Sequence, residues 1–232
     1  MRLLILDAVE RIEIALRACM TKVLSQHHGA HAYQKKDIFD TRYNHNWLME
    51  ELKKKCNNRN REVFIEHYKT KYKKPELPPL WMVMEILTFK EVSLIFTNLK
   101  QREDKESLAS FWGIHHTVLK SWFRALSDLR NVCAHHSRTW NRSFGSRPQV
   151  PKKVPMRWPD LTRPLDDPRI DCRRRLYLLL VVIEYCLQNV NPESNWHLRL
   201  YELLKKHPNI SKAHMGMPED WHSDPFWRLE RR

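Results

Sequence analysis

The stretch TVLKSWFRALSDLRNVCAHH, residues 117–136, decides the fold class of this chain. Its large apolar side chains recur after three, four, three and four positions, which places them on one face of an α-helix. These residues are Leu119, Trp122, Leu126, Leu129 and Cys133. The spacing predicts a long amphipathic helix that begins near Thr117 and turns this face, with Cys133 as a small buried residue, toward a hydrophobic core.

The same helical spacing continues through most of the chain. One apolar stripe runs from Ile5 to Val23, and the pair Thr88 and Glu91 has the spacing of a helix capping box. Further helices are predicted at about 44–57, 61–72, 88–99, 106–112, 174–190 and 194–207. No alternating pattern typical of strands occurs. The sequence therefore predicts an all-α, single-domain bundle over residues 1–232, with a long loop rich in Pro and Arg at about 138–170.

The charge balance indicates the kind of partner. Forty-one Lys and Arg residues against 27 Asp and Glu residues give a net charge of +14 and a pI near 9.7. Such a balance favours a polyanionic partner, with nucleic acid as the first choice and an acidic membrane surface as the second. A spanning helix needs ~20 apolar residues, and the longest apolar run covers only Leu176–Ile183. No membrane insertion is expected.

The cysteines indicate the compartment. The chain has five of them, an odd number without short regular spacing, which is typical of reduced thiols. The N-terminal residues do not form an export signal, because acidic and basic side chains interrupt their apolar ones. The sequence therefore predicts a cytoplasmic protein.

The segment LRNVCAHHSRTWNR, residues 129–142, concentrates the chemistry. A metal site would need four ligands at suitable spacing. No CxxC pair complements Cys133, His135 and His136, and although HHGAH at 27–31 and the pair His115–His116 could donate, 13 histidines produce such clusters by chance, so no metal or other cofactor is predicted. A second alternative is a basic helix end that complements the helix dipole. The third is RNA cleavage, which needs a base, an acid and a cation on the phosphate. Histidine and arginine supply these groups.

These residues resemble the signature of the Abi-like (AbiD/AbiF-type) abortive-infection proteins, a branch of the HEPN superfamily. The resemblance extends to LLILDAVERIEIALRA at 3–18, LPPLWMVMEILTF at 77–89, SLASFWGIHHTVLKSWFRALSDLRN at 107–131 and MGMPEDW at 215–221. It implies a HEPN-like helical bundle whose Arg-x4–6-His motif is a metal-independent nuclease site. Family members carry a further N-terminal segment, so the chain is expected to lack it, and a Gly common in the family is replaced here by Lys90.

The resemblance also assigns roles to residues of this chain. Arg130, Asn131, His135 and His136 are the expected catalytic residues. Glu13, as the early-helix acidic residue of the family, is the expected orienting partner of Arg130; otherwise it forms a surface pair with Arg17. Two copies of the motif face each other across a dimer in HEPN nucleases, which implies a homodimer here.

Helix geometry supports that expectation independently. Arg130 and His135 are separated by about 140° on an ideal helix, and His136 lies about 120° from Arg130 on the other side. His135 and Asn131 point away from the apolar stripe, whereas His136 leans toward it. One straight helix cannot direct Arg130 and His135 at one phosphate. Either the helix is broken there, or a second subunit completes the site. His135 is expected to be the main acid/base residue, and His136 a structural or auxiliary one.

Further residues are candidates for RNA contact because they combine cationic and stacking groups. They are Arg138, Trp140, Asn141, Arg142, Lys53, Lys54 and Arg174. The alternatives are that Trp140 anchors the loop to the core and that the basic runs are solvated faces. The basic charge and the motif, together with what the resemblance implies, lead us to expect a metal-independent endoribonuclease of an anti-phage, toxin-like system, with RNA as substrate or regulator. The alternative is a non-catalytic RNA- or nucleotide-binding protein that acts through partners.

Overall fold

The computed structural model describes residues 1–152, 158–159, 161 and 171–227. Over these residues the chain forms α-helices and short 3-10 turns, with one isolated bridge between Phe39 and Leu99 and no strand. The helices are α1 (Arg2–His28), α2 (His45–Asn57), α3 (Val63–Lys71), α4 (Leu80–Ile86), α5 (Phe89–Thr97), α6 (Arg102–Trp112), α7 (His116–Ala134), α8 (Leu176–Val190) and α9 (Trp196–Lys205). The predicted all-α class is confirmed.

The chain divides into two compact units. Unit 1 comprises residues 1–13 and 109–232, and unit 2 comprises residues 14–108. The single-domain organisation stays a prediction. No helix in the described part of the chain is both long and apolar enough to cross a membrane.

In unit 1 the core forms around α7 and α8. Leu176–Leu187 of α8 is buried throughout, as its apolar sequence predicts. The predicted α7 stripe is buried as well, from Leu119 to Cys133. Trp122 meets Tyr185 edge to face, with ring centroids 5.3 Å apart. Edge-to-face aromatic pairs contribute stabilising free energy beyond that of the apolar area they bury. This pair therefore helps to hold α7 against α8.

The first part of the predicted loop packs on this core. Residues 138–152 form no helix, as expected, yet Phe144 and Pro148 are buried. The Trp122 indole donates to the carbonyl oxygen of Gln149 at 2.8 Å, and Trp158 stacks on Trp122 at 5.6 Å between ring centroids. Of the remaining loop, residues 153–157, 160 and 162–170 lie outside the described residues.

In unit 2 the predicted capping box is confirmed. The Thr88 hydroxyl accepts from the Glu91 amide at 3.3 Å, and the Glu91 carboxylate accepts from the Thr88 amide at 2.6 Å. The sequence analysis missed α4, because the prolines before it indicated only a break. Pro79 takes the N-cap position of α4 with extended backbone, so these prolines precede a helix rather than only ending one.

Candidate functional site

The helix that carries the Arg–His motif ends inside the motif. His135 is the C-cap of α7, with φ −84° and ψ 18°, and His136 follows with φ 53°. The His136 amide donates to the Cys133 carbonyl at 3.1 Å, and the Ser137 amide donates to the Val132 carbonyl at 2.9 Å. This pair of bonds is a Schellman motif, in which the left-handed residue is usually glycine. The chain therefore leaves the helix directly after His135.

This termination corrects the expectation for His136. On an ideal helix the His136 side chain would point toward the buried stripe. In the structure, however, the residue lies beyond the end of the helix and is exposed. That prediction was wrong because the left-handed backbone turns the chain away from the helical path. His135 is exposed, and its amide still donates to the Asn131 carbonyl at 2.9 Å, as in a helix. Its Cα therefore continues the helical path, and the expected divergence of about 140° between it and Arg130 still applies.

The other two motif residues lie on the last turns of α7. Arg130 is exposed and Asn131 is half-buried. One guanidinium nitrogen of Arg130, Nη1, lies 3.5 Å from Oδ1 of Asn131, at the outer limit of a hydrogen bond. The structure thus presents Arg130, Asn131, His135 and His136 at one helix end, without joining Arg130 to either histidine.

Arg2 supports this helix end from elsewhere in unit 1. Its Nη1 donates to the carbonyl oxygen of His136 at 2.6 Å. The bond satisfies a carbonyl group just beyond the helix and opposes its partial negative charge with a cation. Sequence reasoning missed Arg2, because no local pattern relates it to a residue 134 positions away.

Cys133 has the structural role that its spacing predicts. Its side chain is buried, and burial raises the pKa of its thiol to about 11, although nearby Arg2 opposes that shift. The thiolate is the reactive form of cysteine, so this group is protonated near neutral pH. The geometry supports Cys133 as a core residue rather than a nucleophile.

Residues 140–142, just after the motif, contact other residues of unit 1 through their side chains. The Trp140 indole donates to the Ser211 carbonyl at 3.1 Å, and Oδ1 of Asn141 accepts from Arg175 at 3.1 Å. The guanidinium of Arg142 lies 5.9 Å from the centre of the Phe144 ring. These contacts favour the alternative in which Trp140 anchors the loop. Arg138 is exposed, and RNA contact by any of the four residues stays a prediction.

The predicted basic runs are surface features. Lys53 and Lys54 are exposed on α2 in unit 2, and Lys54 pairs with Glu51 at 2.7 Å. Arg174 is exposed in unit 1, 3.7 Å from a carboxylate oxygen of Asp171. Such exposed pairs add little stability. The positions are accessible to a polyanion, and their contact with RNA stays a prediction.

Glu13 is half-buried on α1 in unit 1. The helix places it one turn after Val9, which lies in the buried stripe. Its role as an orienting residue for Arg130 stays a prediction.

One titratable cluster lies in unit 2. Oδ1 of Asp104 accepts from Nδ1 of His27 at 2.7 Å, and Oδ2 accepts from Nε2 of His28 at 2.8 Å. The ligand atoms are close enough together to suggest a cation site. However, two ligands of one tetrahedral zinc ion lie about 3.3 Å apart, whereas these distances match direct hydrogen bonds. The geometry therefore favours a clamp in which His27 and His28 each donate a hydrogen bond to one oxygen of the buried Asp104 carboxylate.

Comparison with known proteins gives one match. A family model described as Abi-like protein matches residues 1–141, which include the whole of α7 and residues 135–141. The comparison with curated proteins and the comparison with solved structures each gave no match. The matched range contains the Arg130–His135 motif and ends before MGMPEDW, at 215–221.

Proposed function

The chain belongs to the Abi-like protein family, and from this membership we propose that it is a phage-defence protein of the abortive-infection type. The finer proposal is a HEPN-type endoribonuclease of the AbiD/AbiF branch, which cleaves RNA in the cytoplasm without a metal ion. The observation that carries it is the presentation of Arg130, Asn131 and His135 at the accessible end of α7.

The chemistry needs only groups that this motif contains. A histidine takes the proton of a ribose 2′-OH, and the 2′ oxygen then attacks the adjacent phosphorus. The bond from phosphorus to the 5′ oxygen breaks, and an imidazolium gives that oxygen its proton. Arg130 stabilises the charge that develops on the phosphoryl oxygens. The products are a 2′,3′-cyclic phosphate and a free 5′-OH.

His135 is the proposed acid/base residue, and Asn131 is the proposed positioning residue. Both lie on the face of α7 opposite the buried stripe, one helical turn apart. Arg130 is directed elsewhere, so a single α7 offers the phosphate either its histidine or its arginine. A homodimer with a two-fold axis beside α7 would bring Arg130 of one protomer to His135 of the other.

Cleavage of single-stranded RNA in excess EDTA tests this function. Wild-type protein should cleave, and Arg130→Ala and His135→Ala should each abolish cleavage while RNA affinity stays within a few-fold. His67→Ala and Arg59→Ala are matched controls, because each removes an exposed side chain of the same type from unit 2. Both controls should cleave like wild type.

Two outcomes of the RNA assays would overturn the nuclease proposal, and a third, in cells, concerns the defence role. Loss of cleavage in EDTA would mean that a metal ion takes part. Tight RNA binding without cleavage by the wild-type protein would favour the alternative, a non-catalytic HEPN protein that binds RNA or a nucleotide and acts through a partner. In cells, phage protection that persists in an Arg130→Ala/His135→Ala double variant would separate the defence role from the motif.

A further inference from the structure

A large open groove runs along the exposed face of α7 in unit 1. Its volume is about 850 Å³, and its helix wall includes Thr117, Lys120, Ser121, Arg124 and Asp128. The opposite wall is formed by residues between 145 and 149. Each side chain that its described lining residues contribute ends in a polar or charged group.

Hydrogen bonds fix the two walls to each other. The Gln149 amide donates to the Ser121 hydroxyl at 2.8 Å, and the Ser121 hydroxyl donates to the Val118 carbonyl at 2.7 Å. Near the other end, the Ser146 hydroxyl donates to the carboxylate of Asp128. The groove is therefore formed before any ligand binds, and the ordering cost of binding is low on the protein side.

The helix wall of the groove leads to the motif. Thr117, Ser121, Arg124 and Asp128 are spaced by four, three and four positions. Continuing that spacing by three and four reaches Asn131 and His135. All six positions lie within about 40° of one line along the helix, over a length of about 27 Å. The groove and the proposed acid/base residue thus share one face of α7.

The charges in the groove fit a phosphate backbone. Lys120, Arg124 and Arg147 line it, against Asp128 as its acidic residue. Within the described ranges, neither Lys120 nor Arg124 forms an ion pair, whereas Arg147 lies 3.7 Å from Asp171. Lysine and arginine without a carboxylate partner are available to replace the counterions of a nucleic acid.

We propose that this groove is the binding path for single-stranded RNA, which Lys120 and Arg124 hold by its phosphates and guide to His135 of the same protomer. This inference rests on the proposed function and adds the route by which the substrate reaches the site. Because Arg130 lies about 140° from this line, the strand would meet the arginine of the partner subunit at its end. Contacts to phosphates carry no sequence information, so holding the strand through Lys120 and Arg124 predicts binding with little sequence preference.

The test compares two substrates and two double variants. Lys120→Ala/Arg124→Ala removes both groove cations, and Lys35→Ala/Lys36→Ala removes two exposed lysines of unit 2 as the matched control. Binding of an oligonucleotide that can run the length of α7 is measured by fluorescence anisotropy across a salt series. Each lost phosphate contact reduces the slope of log affinity against log salt by about 0.7. Because the groove variant loses two such contacts, its slope should be smaller than that of wild type by about 1.4. The control should match wild type.

A cleavage assay with both substrates then shows whether the RNA contacts of Lys120 and Arg124 lie outside the motif. The groove variant should raise KM for the oligonucleotide and leave cleavage of a dinucleotide unchanged, since a dinucleotide reaches only the motif. An unchanged salt slope, or an equal loss of cleavage on both substrates, would overturn the proposed path. If wild-type protein cleaves neither substrate, the proposed function fails, and the salt slope still decides whether the groove binds RNA.

Discussion

Arg2 and His136 are joined by a hydrogen bond of 2.6 Å from a guanidinium nitrogen to a backbone carbonyl oxygen. The bond connects the first turn of α1 to the chain immediately after α7, although the two residues are 134 positions apart. The carbonyl belongs to the residue next to His135, so Arg2 helps to fix the backbone that positions the proposed acid/base side chain.

Arg2→Ala should lower the free energy of unfolding by about 0.5–1 kcal/mol, the usual contribution of one exposed hydrogen bond. RNA cleavage should slow several-fold, because the end of α7 loses its support, while RNA affinity stays near that of wild type. Thermal unfolding, kinetics and hydrogen exchange of the amides at 136–138 measure these effects. Arg11→Ala is the control, since it breaks only an exposed pair with Asp7 on α1; an equal change in cleavage for both variants would contradict the role of Arg2.

His136→Gly should stabilise the protein. An L residue at φ 53° carries a backbone cost that glycine avoids, so the free energy of unfolding should rise by about 0.5–1 kcal/mol. Cleavage should persist, because His135 is the proposed acid/base residue. His135→Gly should instead lose both stability and cleavage, because φ −84° and ψ 18° are angles that an L residue adopts with negative φ, so glycine would only add conformational entropy to the unfolded chain. A folded but inactive His136→Gly protein would transfer the main catalytic role to His136.

Mixing two inactive variants tests the shared site. In a heterodimer of Arg130→Ala and His135→Ala chains, one of the two composite sites has an intact arginine and an intact histidine. With equal amounts of the two chains, about half of all dimers are heterodimers, and each heterodimer has one intact site of two. About a quarter of wild-type activity should therefore return. Mixing Arg130→Ala with an Arg130→Ala/His135→Ala double variant should restore none. Equal activity in both mixtures, or a monomeric mass by light scattering at active concentrations, would argue for a site within one chain.

Asp104→Asn should destabilise unit 2. The carboxylate is 1% exposed and each of its oxygens accepts from a histidine. Asparagine keeps one acceptor, so the loss should be about 1.5–3 kcal/mol, the contribution of one hydrogen bond to a charged group. Glu103→Gln, one residue away and exposed, should change the unfolding free energy far less. If Zn²⁺ raises the Tm of wild type but not of Asp104→Asn, the cluster is a metal site rather than a clamp.

Alanine substitutions at three glycines distinguish the cost of backbone strain from the cost of a steric clash. Gly216 has φ 71°, and an added Cβ would lie 2.7 Å from Cβ of Arg175 and 3.1 Å from Cα of Cys172. Gly216→Ala should therefore cost about 2–4 kcal/mol. Gly29→Ala meets no atom within 4 Å but has φ 86°, so it should cost about 1–2 kcal/mol. Gly145→Ala, with open space, should stay within about 0.5 kcal/mol of wild type. Chemical denaturation of the three variants would show a different order if the packing around Gly216 can yield.

The sequence by itself determined the helices whose signals lie within one or two turns. The stripe of α7, the apolar run of α8 and the Thr88–Glu91 box each depend on side chains that are neighbours along a helix. The segment that contains Arg130 and His135 was recognisable for the same reason, because its residues are contiguous. The spacing from Thr117 to His135 was also present in the sequence, opposite the buried stripe, and could have indicated the face of the groove.

The tertiary structure decided what depends on distant residues. The left-handed turn at His136 occurs at a residue that does not favour it, so local preference could not reveal it. Its support by Arg2, the clamp of Asp104 on His27 and His28, and the second wall of the groove all join segments far apart in the chain. Such contacts form because elements bury apolar surface together and bring polar groups with them, and no spacing along the chain encodes which groups will meet.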